Sequence, residues 1–123
     1  MIDLFFFKNF EKYNNGLPFI QHIDKLFCKL IPEAHNKQLC RADEKPHLKI
    51  PKTSFSTVTI NYNWRTALHK DAGDLKEGFG NLVVLEEGDY EGGCTGFPQF
   101  KVAVDCRHGD FLAMDVHEWH CNT

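Results

Sequence analysis

No apolar run in this chain approaches the roughly 20 residues that span a bilayer. The stretch Leu4 to Phe7 is apolar, but it is short and follows Asp3 instead of a basic segment. Neither a transmembrane helix nor a signal peptide is expected. An excess of one charge is missing too. Fourteen Lys and Arg stand against 17 Asp and Glu, a formal net charge of −3. That balance excludes a uniformly basic nucleic-acid binder. The five cysteines, Cys28, Cys40, Cys94, Cys106 and Cys121, are odd in number and include no CxxC pair. They indicate neither a disulfide framework nor a structural zinc knuckle. Free thiols fit an intracellular, reducing compartment, cytoplasm or nucleus. Internal repeats and low-complexity tracts are absent.

Familiar catalytic signatures are lacking as well. His117-Glu118-Trp119-His120 is one residue short of HExxH, so the helical i, i+4 histidine pair of a zinc protease is absent. Asp71 to Leu82 lacks the oxygen ligands and the final Glu of an EF-hand loop. Gly78-Phe79-Gly80 does not complete GxGxxG, and there is neither a P-loop nor a nucleophile elbow.

What remains is a chain of 123 residues, 42% of them hydrophobic and eleven of them Phe. This is ample material for the core of one small domain and too little for two. Charge is unevenly distributed. From His35 to Lys52, five Lys or Arg face Asp43 and Glu44, whereas from Asp71 to Glu91 seven acids face only Lys76. Such segments can lay opposite signs along two sides of a cleft.

Asn15-Gly16 reads as a turn, and Pro18 suits a first helical turn. Phe19, Ile20, Ile23, Leu26, Phe27, Leu30 and Ile31 then recur at helical spacing until Pro32. Residues 33–52 read as loop with at most one short helix. Phe55 to Tyr62 is rich in β-branched and aromatic residues and predicts a strand. Trp64 to His69 predicts a second extended stretch. Further strands are expected over Asn81–Glu86, Tyr90–Gly96, Lys101–Cys106 and from Phe111 to Val116, continuing toward Thr123. Glu87-Gly88-Asp89 and Arg107 to Asp110 read as turns between them. A helix before several short strands predicts a helix packed on a mostly β sandwich or barrel.

His69-Lys70-Asp71 carries the chemistry. On an extended chain, residues two apart share a face, so the imidazole and carboxylate project side by side and Lys70 points away. Two histidines and one carboxylate, with positions left open, form the facial triad of non-haem Fe(II) oxygenases. His117 and His120 compete for the third place. In a continuous strand they face opposite sides. Parity cannot choose between them, because Phe111, Leu112, Ala113 and Met114 make both faces apolar. Asp74 is a candidate to orient a ligand imidazole from behind.

The run Phe55 to Asp71, with Gly78 to Leu85, Gly96-Phe97-Pro98 and Gly109 to Asp115, resembles the TET/J-binding-protein family of Fe(II)- and 2-oxoglutarate-dependent dioxygenases. The resemblance covers roughly residues 50 to 123. It implies a double-stranded β-helix (jelly-roll, cupin-like) core over residues 53–123, with residues 1–52 as a helical and loop segment packing on it. It implies oxidation of the methyl group of a pyrimidine base in nucleic acid, 5-methylcytosine or thymine, with Fe(II), 2-oxoglutarate and O2. His120-Cys121-Asn122-Thr123 is similar to the family's distal element, which favours His120 over His117. His69, Asp71 and His120 are then the implied metal ligands and catalytic residues. Asn61 and Asn63 are similar to residues that help hold the cosubstrate. The basic residue that grips the far carboxylate of 2-oxoglutarate normally follows the distal His, and Arg41, Arg65 and Arg107 all lie elsewhere. The core is therefore expected to lack its C-terminal strands, and turnover by this chain alone to be poor.

A flipped or single-stranded base would be needed to reach such a site. Lys37, Arg41, Lys45, Lys49 and Lys52 are candidates for phosphate contacts, and Trp64, Phe97 and Trp119 for stacking on a base. Two other readings stay open. One is a 2-oxoglutarate dioxygenase acting on a protein side chain or small molecule. The other is a truncated, non-catalytic β-sandwich binding module. No membrane partner is expected, and oligomeric state is not legible.

Overall fold

A computed structural model describes residues 9–123. The stretch Leu4 to Phe7 lies outside them. Among the described residues no helix is long and apolar enough to cross a membrane. The chain divides into two compact units, one ending at Thr57 and one running from Val58 to Thr123.

The described part of the first unit holds two consecutive helices. Helix α1 spans Phe10–Leu30 and α2 spans Pro32–Asp43. The turn expected at Asn15-Gly16 does not form, because α1 runs straight through it. Tyr13, Leu17, Ile20, Asp24 and Phe27, spaced four and three residues apart, are buried or half-buried along one face. That stripe outweighs the glycine and the missing N–H of Pro18. Pro32 ends one helix and begins the next. It drives Ile31 out of the helical region, to φ −136° and ψ 67°, and then takes the first position of α2, where no donor is needed.

Residues 33–52 are thus more ordered than the loop expected. α2 fills the first part, and a short 3-10 turn covers Pro46–Leu48. Phe27 is fully buried, edge-on to His35 at 5.4 Å and stacked with Phe55 at 6.5 Å between centroids. Buried Asp24 accepts hydrogen bonds from the Ser54 backbone N–H (2.8 Å) and hydroxyl (2.6 Å), and its other oxygen lies 3.0 Å from His35 Nε2. The carboxylate ties the turn at residues 50–55 to both helices. Its signal in the sequence was a lone acid in the apolar stripe, three residues before Phe27.

The second unit holds five short strands: β1 Gly80–Val83, β2 Thr95–Phe97, β3 Val102–Val104, β4 Phe111–Met114 and β5 Cys121–Asn122. β1 pairs antiparallel with β4, Leu82 opposite Leu112. The other three form a second antiparallel sheet in the order β3-β2-β5. Each expected strand from residue 81 onward is present but shorter, and a turn at residues 116–118 separates β4 from β5.

This arrangement corrects the expected fold class. The described residues form a mixed α and β fold, with two α-helices and two small open sheets, rather than a mostly β jelly-roll or double-stranded β-helix. Neither sheet closes into a barrel. Strands of two to four residues offer too few ladder positions to curl a sheet on itself. Left-handed glycines at Gly88, Gly92, Gly93 and Gly109 turn the chain before the strands can lengthen. The run Phe55 to Tyr62 forms no strand at all. Ile60 and Tyr62 are each 85% exposed, and β-propensity without a neighbouring ladder does not make a sheet.

Candidate metal centre

β5 has two edges. One pairs with β2, Gly96 opposite Cys121. The other receives the segment that carries His69. His69 and His120 exchange both backbone hydrogen bonds, each at 3.0 Å. This single bridge places two imidazoles side by side, their centroids 4.3 Å apart. Two residues on, the Asp71 N–H donates to the Val116 carbonyl at 2.9 Å, which fixes the carboxylate's backbone against the turn before β5. Val116 in turn packs on Gly80: a Cβ added to Gly80 would come within 2.2 Å of Val116 Cγ1.

The side chains converge. Asp71 Oδ1 lies 3.3 Å from His69 Nε2 and 3.9 Å from His120 Nε2. One donor atom from each of the three lies within 4.8 Å of the others. Donors bound to one metal at about 2.1 Å and at right angles sit about 3 Å apart, so the cluster needs only a small contraction.

The two rings are also turned the right way for coordination. His69 Nδ1 lies 2.7 Å from the Ala67 carbonyl, and His120 Nδ1 lies 2.8 Å from the Glu118 carbonyl. A carbonyl only accepts, so each Nδ1 donates to it, and Nε2 is the ring atom turned toward the cluster and able to coordinate a metal. This is the outer-shell arrangement that fixes a ligand imidazole. His120 is 7% exposed at its side chain, while His69 and Asp71 are each 39% exposed. The cluster is therefore closed on one side and open to exchangeable ligands on the other.

His117 lies apart from it. Its Nδ1 and backbone N–H both face Asp115 Oδ1 at 2.9 Å, and its Nε2 lies 3.2 Å from the Asp74 carbonyl. The Asp115 hydrogen bond, then the Asp74 contact, raise the His117 pKa. Asp74 thus engages His117 and not a ring of the cluster. Asn61 and Asn63 are exposed, Asn63 at a left-handed φ of 48°. Lys70 reaches over the Trp119 ring, 5.3 Å from its centroid. Arg107 pairs with Asp105 at 2.6 Å and covers Tyr90. Of the basic residues in the first unit, Lys37 pairs with Glu33, Arg41 with Glu44 and Lys49 with Asp43.

Sequence reasoning missed what holds the cluster. The Ala67 and Glu118 carbonyls leave no trace in side-chain identity. Val116 reads as an ordinary strand residue, and Gly80 falls just before the strand expected at Asn81–Glu86. An apolar groove of about 410 Å³ lies beside β4, lined by Phe79, Phe97, Phe100, Leu112 and Met114 with Asp115 and Glu118. Glu118 belongs to both features: it lines the groove and its carbonyl holds His120.

Comparison with known proteins agrees with this geometry. The chain is 37% identical over 119 residues to the bifunctional helicase and thymine dioxygenase JBP2 of Leishmania major, covering 93% of this chain and 11% of that protein. It is 33% identical to thymine dioxygenase JBP1-A of Trypanosoma cruzi, covering 97% of this chain and 14% of that protein. With thymine dioxygenase JBP1 of Crithidia fasciculata the identity is 31%, over the same shares. The chain thus spans between a tenth and a seventh of the length of these relatives. No solved structure matches it significantly. Residues 8–123 match the family described as the oxygenase domain of the 2OGFeDO superfamily, and the chain belongs to that Tet/JBP family.

Proposed function

We propose that this chain carries the metal centre of an Fe(II)- and 2-oxoglutarate-dependent dioxygenase that hydroxylates the methyl group of a pyrimidine base in nucleic acid. The observation that carries the reading is the convergence of two Nε2 atoms and one carboxylate, each ring fixed from behind by a carbonyl. His69, Asp71 and His120 would hold Fe(II). The donor set, two imidazoles and one carboxylate on an open face, suits that ion. Loaded with 2-oxoglutarate and O2, the iron supplies oxidation of an unactivated C–H bond, with succinate and CO2 as co-products.

The chain's own residues do the positioning. The His69–His120 bridge sets the distance between the rings, and Val116 sets the carboxylate. Burial of His120 keeps water from one side of the cluster, while the exposed side of His69 and Asp71 leaves room for the cosubstrate. Asn61 and Asn63 are the proposed cosubstrate contacts within this chain. The pyrimidine substrate is proposed from the thymine dioxygenase relatives, and stacking on Phe97 or Trp119 would suit a base. Lys45 and Lys52 are proposed phosphate contacts. Five free cysteines suit a reducing compartment.

The test has two parts. Anaerobic Fe(II) titration with 2-oxoglutarate should give a metal-to-ligand charge-transfer band on this chain, lost in His69→Ala, Asp71→Ala and His120→Ala. An unchanged band in those variants rules out the site. Turnover is read on the full-length protein with thymine- and 5-methylcytosine-containing DNA, by nucleoside mass spectrometry. Succinate formation with both bases unmodified would reject the nucleobase substrate and favour a protein or small-molecule substrate.

A further inference from the structure

We propose that Asn122 is a positioning residue whose side chain sets the ring orientation and tautomer of His69. The inference rests on the metal-centre reading for its consequence, and on backbone geometry for its mechanism.

The ladder between β5 and the His69 segment is irregular. His69 and His120 are a reciprocally bonded pair, and the next contact is the Asn122 N–H to the Thr66 carbonyl at 3.4 Å. Between these contacts lie Ala67 and Leu68 on one side and only Cys121 on the other. The His69 segment therefore carries one extra residue, which is a β-bulge. A bulge re-aims main-chain groups, and here the Ala67 carbonyl takes up the His69 Nδ1–H at 2.7 Å.

A bulge weakens its own ladder, and the Asn122 side chain supplies what the ladder lacks. Its Oδ1 accepts from the Thr66 N–H and from the Thr66 hydroxyl, the latter at 2.9 Å. Its Nδ2 donates to the Trp64 carbonyl at 3.0 Å. One amide thus fastens Trp64 and Thr66, on the approach to the bulge, using both its donor and its acceptor. No other side chain among the described residues bonds to the backbone of residues 64–66. His120 is held differently. Its Nδ1 partner is the Glu118 carbonyl, in a turn closed by the Glu118 N–H on the Asp115 carbonyl at 3.2 Å. Asn122 should therefore act on one ligand ring and not on the other.

The experiment uses metal-free protein labelled with ¹⁵N-histidine, at a pH where the imidazoles are neutral. His69 and His120 are assigned with His69→Gln and His120→Gln. In the wild type both rings should show the Nδ1–H signature. In Asn122→Ala the His69 signature should move toward a tautomer mixture while His120 stays put. Mn(II) affinity should fall about tenfold, as for outer-shell partners of a metal site. An unmoved His69 signature, or equal movement of both rings, overturns the proposal. Should Asn122→Ala fail to fold, Thr66→Val removes only the hydroxyl donor and is read the same way: His69 alone should move, and no movement overturns the role. Absence of Mn(II) binding by the wild type would reject the metal reading, while the tautomer comparison would still decide the role of Asn122.

Discussion

Gly80 shows how closely the candidate centre is packed. A methyl group there collides with Val116, whose carbonyl holds the Asp71 N–H. Gly80→Ala should cost about 1–3 kcal/mol by overpacking and weaken Mn(II) binding as well. Adding Val116→Ala should recover much of both losses, measured by urea unfolding and metal titration. Full metal affinity in Gly80→Ala would show that Val116 does not set the carboxylate. His117 is the residue to follow with pH. Its pKa is raised above the ordinary 6.5 by the Asp115 hydrogen bond and the Asp74 carbonyl. Burial pushes Asp115 up, but the His117 backbone and ring N–H groups outweigh it and leave the carboxyl below its usual value. A raised histidine contributes stability that is complete below its unfolded pKa and lost as pH rises through the folded one. A depressed acid contributes above its unfolded pKa and loses that contribution as pH falls. The pair is thus most favourable between about pH 4 and pH 6.5. As pH rises above about 6.5 the wild type should lose stability that His117→Gln does not, by denaturant unfolding. Equal slopes would show that the pair has no thermodynamic weight.

Elements were legible where the sequence carries its own periodicity, and less so where tertiary partners decide. The core-facing residues around Phe27 follow from helical spacing, yet the start of α1 does not, because Asn15-Gly16-Leu17-Pro18 is a turn by local chemistry alone. The stripe continuing back to Tyr13 overrides it. The strand expected at Phe55 to Tyr62 failed for the converse reason, since suitable residues found no ladder to join. The His69-Lys70-Asp71 spacing was readable because period two is local. Its meeting with His120 across 51 residues was indicated by family resemblance, not by parity. The jelly-roll expected from that resemblance is not what these short strands build. Gly16 offers a test of the helix reading. It lies inside α1 with nothing within 4 Å of an added Cβ. Gly16→Ala should stabilise the protein by about 0.5–1 kcal/mol and raise the melting temperature followed by helical circular dichroism. A loss of stability would place a turn, not a helix, at that residue.

For the molecule as a whole, metal binding at the proposed centre would raise stability. Both tryptophans, Trp64 and Trp119, lie in the unit from Val58 to Thr123, so their fluorescence reports on the unit that holds the cluster. At about a hundredfold excess of Mn(II) over its dissociation constant, that transition should gain about 2.7 kcal/mol, provided the unfolded chain does not bind. Chelation should remove the gain, and Asp71→Ala should abolish it. A transition indifferent to metal would mean that no ordered site forms. The charge segregation read from the sequence is in part neutralised locally, since three of the five basic residues between His35 and Lys52 pair with acids within six positions.

Both rings of the candidate centre, His69 and His120, are fixed by the main-chain carbonyl two residues before them. The groups that tune the imidazoles are therefore carried by the peptide bond, which every amino acid supplies. Positions 67 and 118 can change identity without erasing that tuning. Related centres could thus diverge widely in their immediate surroundings and keep the same ligand chemistry, and a comparison restricted to side chains would overlook the kinship.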